Sequence, residues 1–186
     1  MTQPISPTPM LTLWYKPSQT LQGLITSGGG QTTAVVVAGL FGMVQALPSF
    51  SAGGGLIPLF GGLFTGVLVL YLFGWLLRNF GRWFGSEAAL ADVRMSFGWG
   101  LLPWTVSFGF LFFFLASVGG DARQTFPLFF IVLVYGFVVL LLSLSASLGI
   151  SFIKTFLCFV LTFLVTVFPL TLIAQLFFGL SPTITP

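Results

Sequence analysis

Charge is what this sequence has least of. Only 5% of its 186 residues are Asp, Glu, Lys or Arg, whereas a soluble domain carries about 25%. So few charges cannot cover the surface of a water-soluble protein, and 56% of the residues are hydrophobic. The six basic residues form no cluster, so we expect no nucleic-acid partner, which requires a basic patch on a soluble surface. The composition therefore predicts an integral membrane protein.

Histidine is absent, and Cys158 is the single cysteine. Without histidine there is no Ser–His–Asp or Cys–His catalytic group and no histidine-based zinc site. Cys158 lies in an apolar run, and we interpret it as a small buried hydrophobic residue. The three acidic residues, Glu87, Asp92 and Asp121, lie outside the apolar runs, so no carboxylate is expected inside the bilayer. We expect a non-enzymatic protein with no metal and no cofactor.

Long apolar segments occupy most of the chain. The predicted spans are about residues 31–47, 56–77, 97–118, 126–147 and 153–178. Most have the ~20 residues that a ~30 Å hydrocarbon core requires. The first is short and closed by Pro48; if it does not cross, four spans remain. Continuous apolar runs such as residues 110–115 exclude the alternation of a β-barrel. The fold class is therefore an all-α integral membrane protein, a bundle of five transmembrane helices.

The basic residues predict the orientation of the bundle. With the N-terminus inside, the inside segments contain five of the six basic residues: Lys16, Arg78, Arg82, Arg94 and Lys154. The outside segments contain only Arg123, beside Asp121. The excess of Lys and Arg on cytoplasmic loops therefore predicts a cytoplasmic N-terminus and an outside C-terminus. The membrane would be the inner membrane of a prokaryote or an endomembrane of a eukaryote.

Residues 1–30 are predicted to be a cytoplasmic tail, and residues 31–186 the transmembrane domain. The tail starts polar and proline-rich, unlike a signal peptide. Leu21, Leu24 and Ile25 share one helix face after Pro17, a pattern that predicts a short amphipathic helix on the membrane surface. Three consecutive residues before it are predicted interfacial anchors: Trp14, Tyr15 and Lys16.

The longest predicted inside loop, residues 78–96, is the candidate functional segment. Ser86 and Glu87 have the character of a helix start, so we expect a short interfacial helix leading into the third span. The candidate partner surface consists of the charged residues of this loop: Arg78, Arg82, Glu87, Asp92 and Arg94. The alternative is a loop that only connects two spans, whose basic residues reflect the general excess of Lys and Arg on the cytoplasmic side and no binding role.

This segment carries a family resemblance. Residues 85–94, which begin at Gly85, followed by Gly98, Trp99 and Pro103, resemble the Yip-domain family of Rab/Ypt-interacting membrane proteins. Members typically show a glycine, a short cytoplasmic helix and then Gly-Tyr-x-x-x-Pro, so Trp99 stands where tyrosine is usual. Residues 15–21 are similar to the Arg-Pro-x-x-Thr segment of bacterial members, with Lys16 in place of arginine.

The resemblance covers most of residues 12–178 and implies the same layout, five spans with the N-terminus inside. The chain lacks the long acidic or proline-rich N-terminal region of many eukaryotic members and has no clear Asp-Leu-Tyr-Gly-Pro element, which favours a prokaryotic-type member. What the family implies is a role in membrane organisation or trafficking through partner binding.

Two prolines and two glycines have structural interpretations within the spans. Pro103 and Pro169 are predicted to kink their helices, with nearby hydroxyl groups satisfying the carbonyls that they free. Gly62 and Gly66 form a GxxxG motif, which lets helix backbones approach closely. We expect this motif to pack within the bundle rather than to form a dimer.

The expected partners are membrane lipids and either a membrane protein or further copies of the chain. One alternative function is a channel, a transporter or a lipid-translocating protein that acts as an oligomer. Its nearest marker is a row of serines near the inner end of the fourth span: Ser143, Ser145, Ser147 and Ser151. Another alternative is an accessory subunit of a larger membrane complex, which fits the phenylalanine-rich spans.

Overall fold

The structure, a computed structural model, describes residues 8–118 and 122–178. Within these ranges every regular element is a helix. The helices are α1 (Thr8–Thr12), α2 (Pro17–Ser27), α3 (Gln31–Ser49), α4 (Ile57–Trp83), α5 (Leu90–Gly100), α6 (Leu102–Val118), α7 (Ala122–Leu148) and α8 (Phe152–Phe178), with a π-helical turn at Phe50–Gly54 after α3.

Five of the helical segments are long and apolar enough to cross a membrane: Gln31–Gly54, Ile57–Trp83, Leu90–Phe114, Phe126–Leu148 and Phe152–Leu172. This confirms the predicted all-α bundle of five transmembrane helices. The orientation of the termini stays a prediction, since a structure without a membrane does not distinguish its two sides.

The first span is longer than the sequence predicted. The helix does not end at residue 47 but passes through Pro48 to Ser49 and continues as the π-helical turn. Proline removes one helix hydrogen bond and commonly widens or bends the helix that follows. The hydroxyl of Ser51 donates a 2.9 Å hydrogen bond to the carbonyl of Pro48, which satisfies one of the backbone groups there. The span thus reaches full membrane length despite its proline.

The predicted loop at residues 78–96 is mostly helical. Helix α4 continues through Arg78 and Arg82 to Trp83, and α5 begins at Leu90, so only six residues connect them. Charged side chains near a membrane helix end do not terminate the helix; the chain turns where Gly85 adopts a φ of +90°, a conformation that favours glycine. Ser86 does not cap a helix as predicted, because Ala89 is the residue that precedes α5.

Helix α5 is part of the bundle and does not lie on its surface. Seven of the eight residues from Val93 to Gly100 are buried, and Arg94 is the exception. Leu101 separates α5 from α6, and Pro103 is the second residue of α6, a first-turn position that proline tolerates. Pro103 therefore lies just after the break between α5 and α6 inside the single span Leu90–Phe114, and the kink predicted there stays a prediction.

The hydroxyl groups of Thr166 and Thr171 donate to other carbonyls than the one that Pro169 frees. Proline leaves the carbonyl four residues earlier without its helix partner, which means Val165 for Pro169. The hydroxyl of Thr166 instead donates to the carbonyl of Thr162, and that of Thr171 to Phe168, both at 2.8 Å. Helix α8 nevertheless runs through Pro169 without a break.

The closest helix pair is α3 with α4, and it is built on small residues. A Cβ atom added to Gly66 would lie 2.1 Å from the carbonyl oxygen of Ala38, and one added to Gly62 would lie 2.4 Å from that of Gly42. The two backbones therefore touch with no room for a side chain. The GxxxG motif packs inside the bundle, on the helix that precedes it.

The N-terminal segment packs on the bundle. Pro17, Leu21 and Leu24 are buried, and the hydroxyl of Ser18 lies 3.5 Å from the carbonyl oxygen of Leu142 in α7. The apolar face of α2 thus meets other helices, where the sequence predicted that it would lie on lipid. Helix packing satisfies the same amphipathic pattern as a membrane surface does, which is why the pattern alone does not separate the two.

Candidate functional site at the charged end of the bundle

One end of the bundle collects most of the charged residues. There the turn after α4 meets the end of α7: the hydroxyl of Ser86 donates a 2.6 Å hydrogen bond to the carbonyl of Leu148. Helices α3, α5 and α8 begin at this end and α4 and α7 finish there. We call it the charged end; it contains Arg78, Arg82, Glu87, Asp92, Arg94 and Lys154.

The five predicted partner-surface residues divide into two groups. Arg82 and Glu87 are exposed, and Arg82 lies beside Trp83, whose side chain is 75% exposed. Arg78, Asp92 and Arg94 are partly buried. The Nε atoms of Arg78 and Arg94 are buried and have no hydrogen-bond partner among the described residues. The first group faces outward, and the second belongs to the walls of the bundle.

Arg94 lies against α4 at a position that requires glycine. A Cβ atom added to Gly74 would lie 2.4 Å from Cγ of Arg94, so the arginine stem occupies the space of a missing side chain. The guanidinium carbon lies 4.8 Å from the centre of the Tyr71 ring, a cation–π distance. Arg78 is one turn further along α4 than Gly74, on the same helix face. The two arginines therefore share this face, and the Nε of neither has a hydrogen-bond partner in the described part of the chain.

A cavity of about 480 Å³ opens beside Arg94. It lies between α3, α4 and α5, and its lining is partly polar: Gln31, Thr32, Ala34, Val35, Leu70, Tyr71, Ala91 and Arg94. Thr32 and Tyr71 are exposed, so they form the mouth of the cavity, whereas Ala34 and Leu70 are buried and form its floor. The volume lies within the range of small-molecule sites, roughly 300–1,000 Å³.

The sequence did not indicate Gln31, Thr32 or Tyr71 as site residues. Gln31 is held by a 2.9 Å hydrogen bond from its Nε2 to the carbonyl of Ala91, which fixes the start of α3 against α5. No side chain caps that start, so the first backbone N–H groups of α3 lack helix partners. The sequence offered one signal for Gln31, a polar residue at the first position of an apolar run. Its hydrogen-bond partner on α5 is 60 residues away in the sequence, so the sequence did not identify that contact.

The wall between α3 and α5 depends on the predicted motif residues. A Cβ atom added to Gly98 would lie 2.6 Å from the carbonyl oxygen of Ala34. Trp99 is fully buried, and its Nε1 donates a 3.0 Å hydrogen bond to the carbonyl of Gly30. These two residues position the start of α3; they do not reach the surface of the charged end.

The predicted anchors lie apart from the charged end. The Trp14 ring stacks on that of Tyr135 in α7, with 6.0 Å between ring centres, and the Tyr135 hydroxyl donates a hydrogen bond to the Trp14 carbonyl. Tyr135 is about 20 Å along the helix axis from Leu148, at 1.5 Å per residue. Trp14 is thus held by the bundle, whereas Tyr15 and Lys16 are exposed.

The serines of α7 make different local contacts. The hydroxyl of Ser145 donates to the carbonyl of Ile150 at 2.8 Å, and that of Ser147 to Leu144 at 3.0 Å. Ser143 is fully buried, and its hydroxyl has no partner among the described residues. Most of these hydroxyl groups therefore serve the end of their own helix.

Comparison of the chain with protein-family models, with curated proteins and with solved structures finds no match.

Proposed function

We propose that this protein is a non-enzymatic multi-pass membrane protein of Yip-domain type, in its prokaryotic form, which organises a membrane by binding a partner protein at its charged end. The observation that carries the proposal is the exposed group formed by Arg82, Trp83 and Glu87. The Trp83 side chain is 75% exposed. It follows the cationic Arg82 and precedes the turn that contains the anionic Glu87. Tryptophan and arginine are enriched where proteins bind one another.

The position of Trp83 supports a protein partner. Helix α4 begins at Ile57, and a ~30 Å hydrocarbon core takes about 20 helical residues. The core would then end near Leu77, about two turns before Trp83. Tryptophan at that distance projects past the headgroup boundary, where it is available to a soluble domain or to the exposed part of another membrane protein.

The resemblance to the Yip-domain family supports the same proposal. The glycine of the motif, Gly85, forms the turn between α4 and α5 with its φ of +90°, and the exposed Glu87 follows two residues later in this turn. Gly98 and Trp99 fix α5 against α3. In this proposal the motif builds a rigid platform, and the exposed residues of the turn bind the partner.

The test is site-specific crosslinking in native membranes. A photoreactive amino acid at Trp83 should capture one protein reproducibly, and the same probe at Ser51, which is exposed beyond the opposite end of α3, should not capture it. The captured protein is then purified and its binding measured. Reversal of charge with R82E should weaken that binding roughly tenfold, and the double variant R82E/E87R should not bind better than R82E.

Two results would contradict the proposal. One is equal capture at Trp83 and Ser51, which indicates lipid-exposed or random contact. The other is ion flux or lipid scrambling by the purified protein in liposomes, which would favour the transport alternative. A stable assembly of fixed stoichiometry with several different membrane proteins would favour the accessory-subunit alternative.

A further inference from the structure

We propose that the cavity between α3, α4 and α5 binds the phosphate group of an anionic phospholipid. This inference is independent of the proposed function, because the cavity is on the wall of the bundle and the partner surface is on the turn after α4. The residues that carry it are Arg94, Gln31 and Thr32, which line the cavity.

The first argument is the charge of the cavity. Arg94 is its one charged lining residue, and its buried Nε has no hydrogen-bond partner among the described residues. Removing a guanidinium from water without a counter-charge is costly. The Tyr71 ring covers one face of the guanidinium, which leaves the N–H groups at its edge for an anion. Arginine binds phosphate through such N–H groups, often two at once.

The second argument is the set of donors on the other wall. The cavity includes the first two residues of α3, an end that no side chain caps. The backbone N–H groups of a helix start and its positive dipole end favour an anion. The Thr32 hydroxyl is on this wall and is exposed at the mouth. Arg94 and the start of α3 thus place positive charge on two sides of one space.

The third argument is depth, which selects a lipid. Arg94 packs against Gly74, about one turn on the bilayer side of Arg78 in α4. If the hydrocarbon core ends near Leu77, the cavity lies about 4 to 9 Å inside that boundary, between the levels of Gly74 and Tyr71, a depth at which a buried arginine thins the bilayer locally and draws polar groups inward. Its mouth is formed by Thr32 of α3 and the 48% exposed Tyr71 of α4. A lipid reaches such a mouth directly, with its acyl chains along the apolar helix faces.

The measurement is lipid binding by the purified full chain in mild detergent, followed by native mass spectrometry. Phosphatidylglycerol should remain bound to the wild type at least tenfold more tightly than phosphatidylcholine. R94Q should lose that tenfold preference, which corresponds to about 1.4 kcal/mol, and R94K should retain part of it. K154Q removes one positive charge from an exposed residue at the same end of the bundle and should bind as the wild type does.

A second variant keeps the lipid-binding test informative if R94Q does not fold. Thr32 is exposed, so T32V leaves the packing intact while it removes a hydroxyl from the mouth, and it should weaken phosphatidylglycerol binding several-fold. Inorganic phosphate and glycerol 3-phosphate serve as soluble probes, and neither should displace the lipid at millimolar concentration.

Several outcomes would overturn the inference. Equal losses in K154Q and R94Q would indicate diffuse attraction by net charge. Unchanged binding in both R94Q and T32V would place the lipid elsewhere. Displacement by inorganic phosphate would show a soluble anion as the ligand. None of these variants changes Arg82, Trp83 or Glu87, so the crosslinking test of the partner surface succeeds or fails separately.

Discussion

Trp99 in α5 donates a 3.0 Å hydrogen bond from its indole Nε1 to the backbone carbonyl of Gly30, the residue before α3. Gly30 has a φ of +92°, and a Cβ atom there would lie 2.9 Å from that same Nε1. Both the conformation and the space therefore require glycine. The contact fixes where the N-terminal segment ends and where the first span begins, and it thereby sets one wall of the cavity beside Arg94.

Replacement of Trp99 by phenylalanine should destabilise the protein by about 1–3 kcal/mol, because it leaves the carbonyl of Gly30 unpaired in the interior. Thermal unfolding in detergent measures the change. W75F is the matched control, since the Trp75 side chain is 52% exposed and should tolerate the same replacement. Equal unfolding temperatures for W99F and wild type would contradict the role given to this hydrogen bond.

Replacement of Gly66 by leucine should disrupt the pair of α3 and α4. The new Cβ would lie 2.1 Å from the carbonyl oxygen of Ala38, so the helices must separate, at a cost of about 3 kcal/mol or more. Gly61 is in the same helix with nothing near its Cβ position, and G61L should unfold close to the wild type. If G61L lost as much stability as G66L, helix packing would not be the cause.

Replacement of Tyr135 by phenylalanine should release the segment around Trp14. The variant loses the hydrogen bond from the Tyr135 hydroxyl to the Trp14 carbonyl, worth about 1 kcal/mol, while it keeps the ring stacking. Backbone hydrogen exchange at residues 13–16 should become several-fold faster than in the wild type. Y15F, at a 67% exposed tyrosine, should leave the exchange unchanged; a similar acceleration there would implicate the tail itself.

The predicted orientation has a direct test in cysteine labelling of intact cells. A membrane-impermeant maleimide should label S51C, which lies at the end opposite to the charged end, and should label E87C only after the cells are opened. Cys158 is fully buried and should stay unlabelled, so the wild-type chain is the background. Labelling of E87C in intact cells would reverse the orientation predicted from the basic residues.

The fold class followed from the sequence because bilayer physics allows few solutions. With 5% charged residues and apolar runs of about 20 residues, the chain must form helices that satisfy their own backbone groups. The helices extend beyond the apolar runs: α3 passes through Pro48, and α4 passes through Arg82. Hydropathy marks where lipid contacts the chain, whereas backbone hydrogen bonding decides where a helix ends.

The placement of α2 and of the candidate site was decided by the tertiary structure. An amphipathic helix needs an apolar surface, and the sequence pattern does not distinguish a bilayer from α7 as that surface. Arg94 was predicted on a loop with other charged residues, yet its neighbours in the cavity are Gln31, Thr32 and Tyr71, from two other helices. The sequence by itself determined the number and apolar character of the spans, because each is a local property of one segment. Only the tertiary structure decided which polar groups meet, because those contacts join residues that are tens of positions apart in the sequence. They form where glycine residues let the helix backbones approach closely.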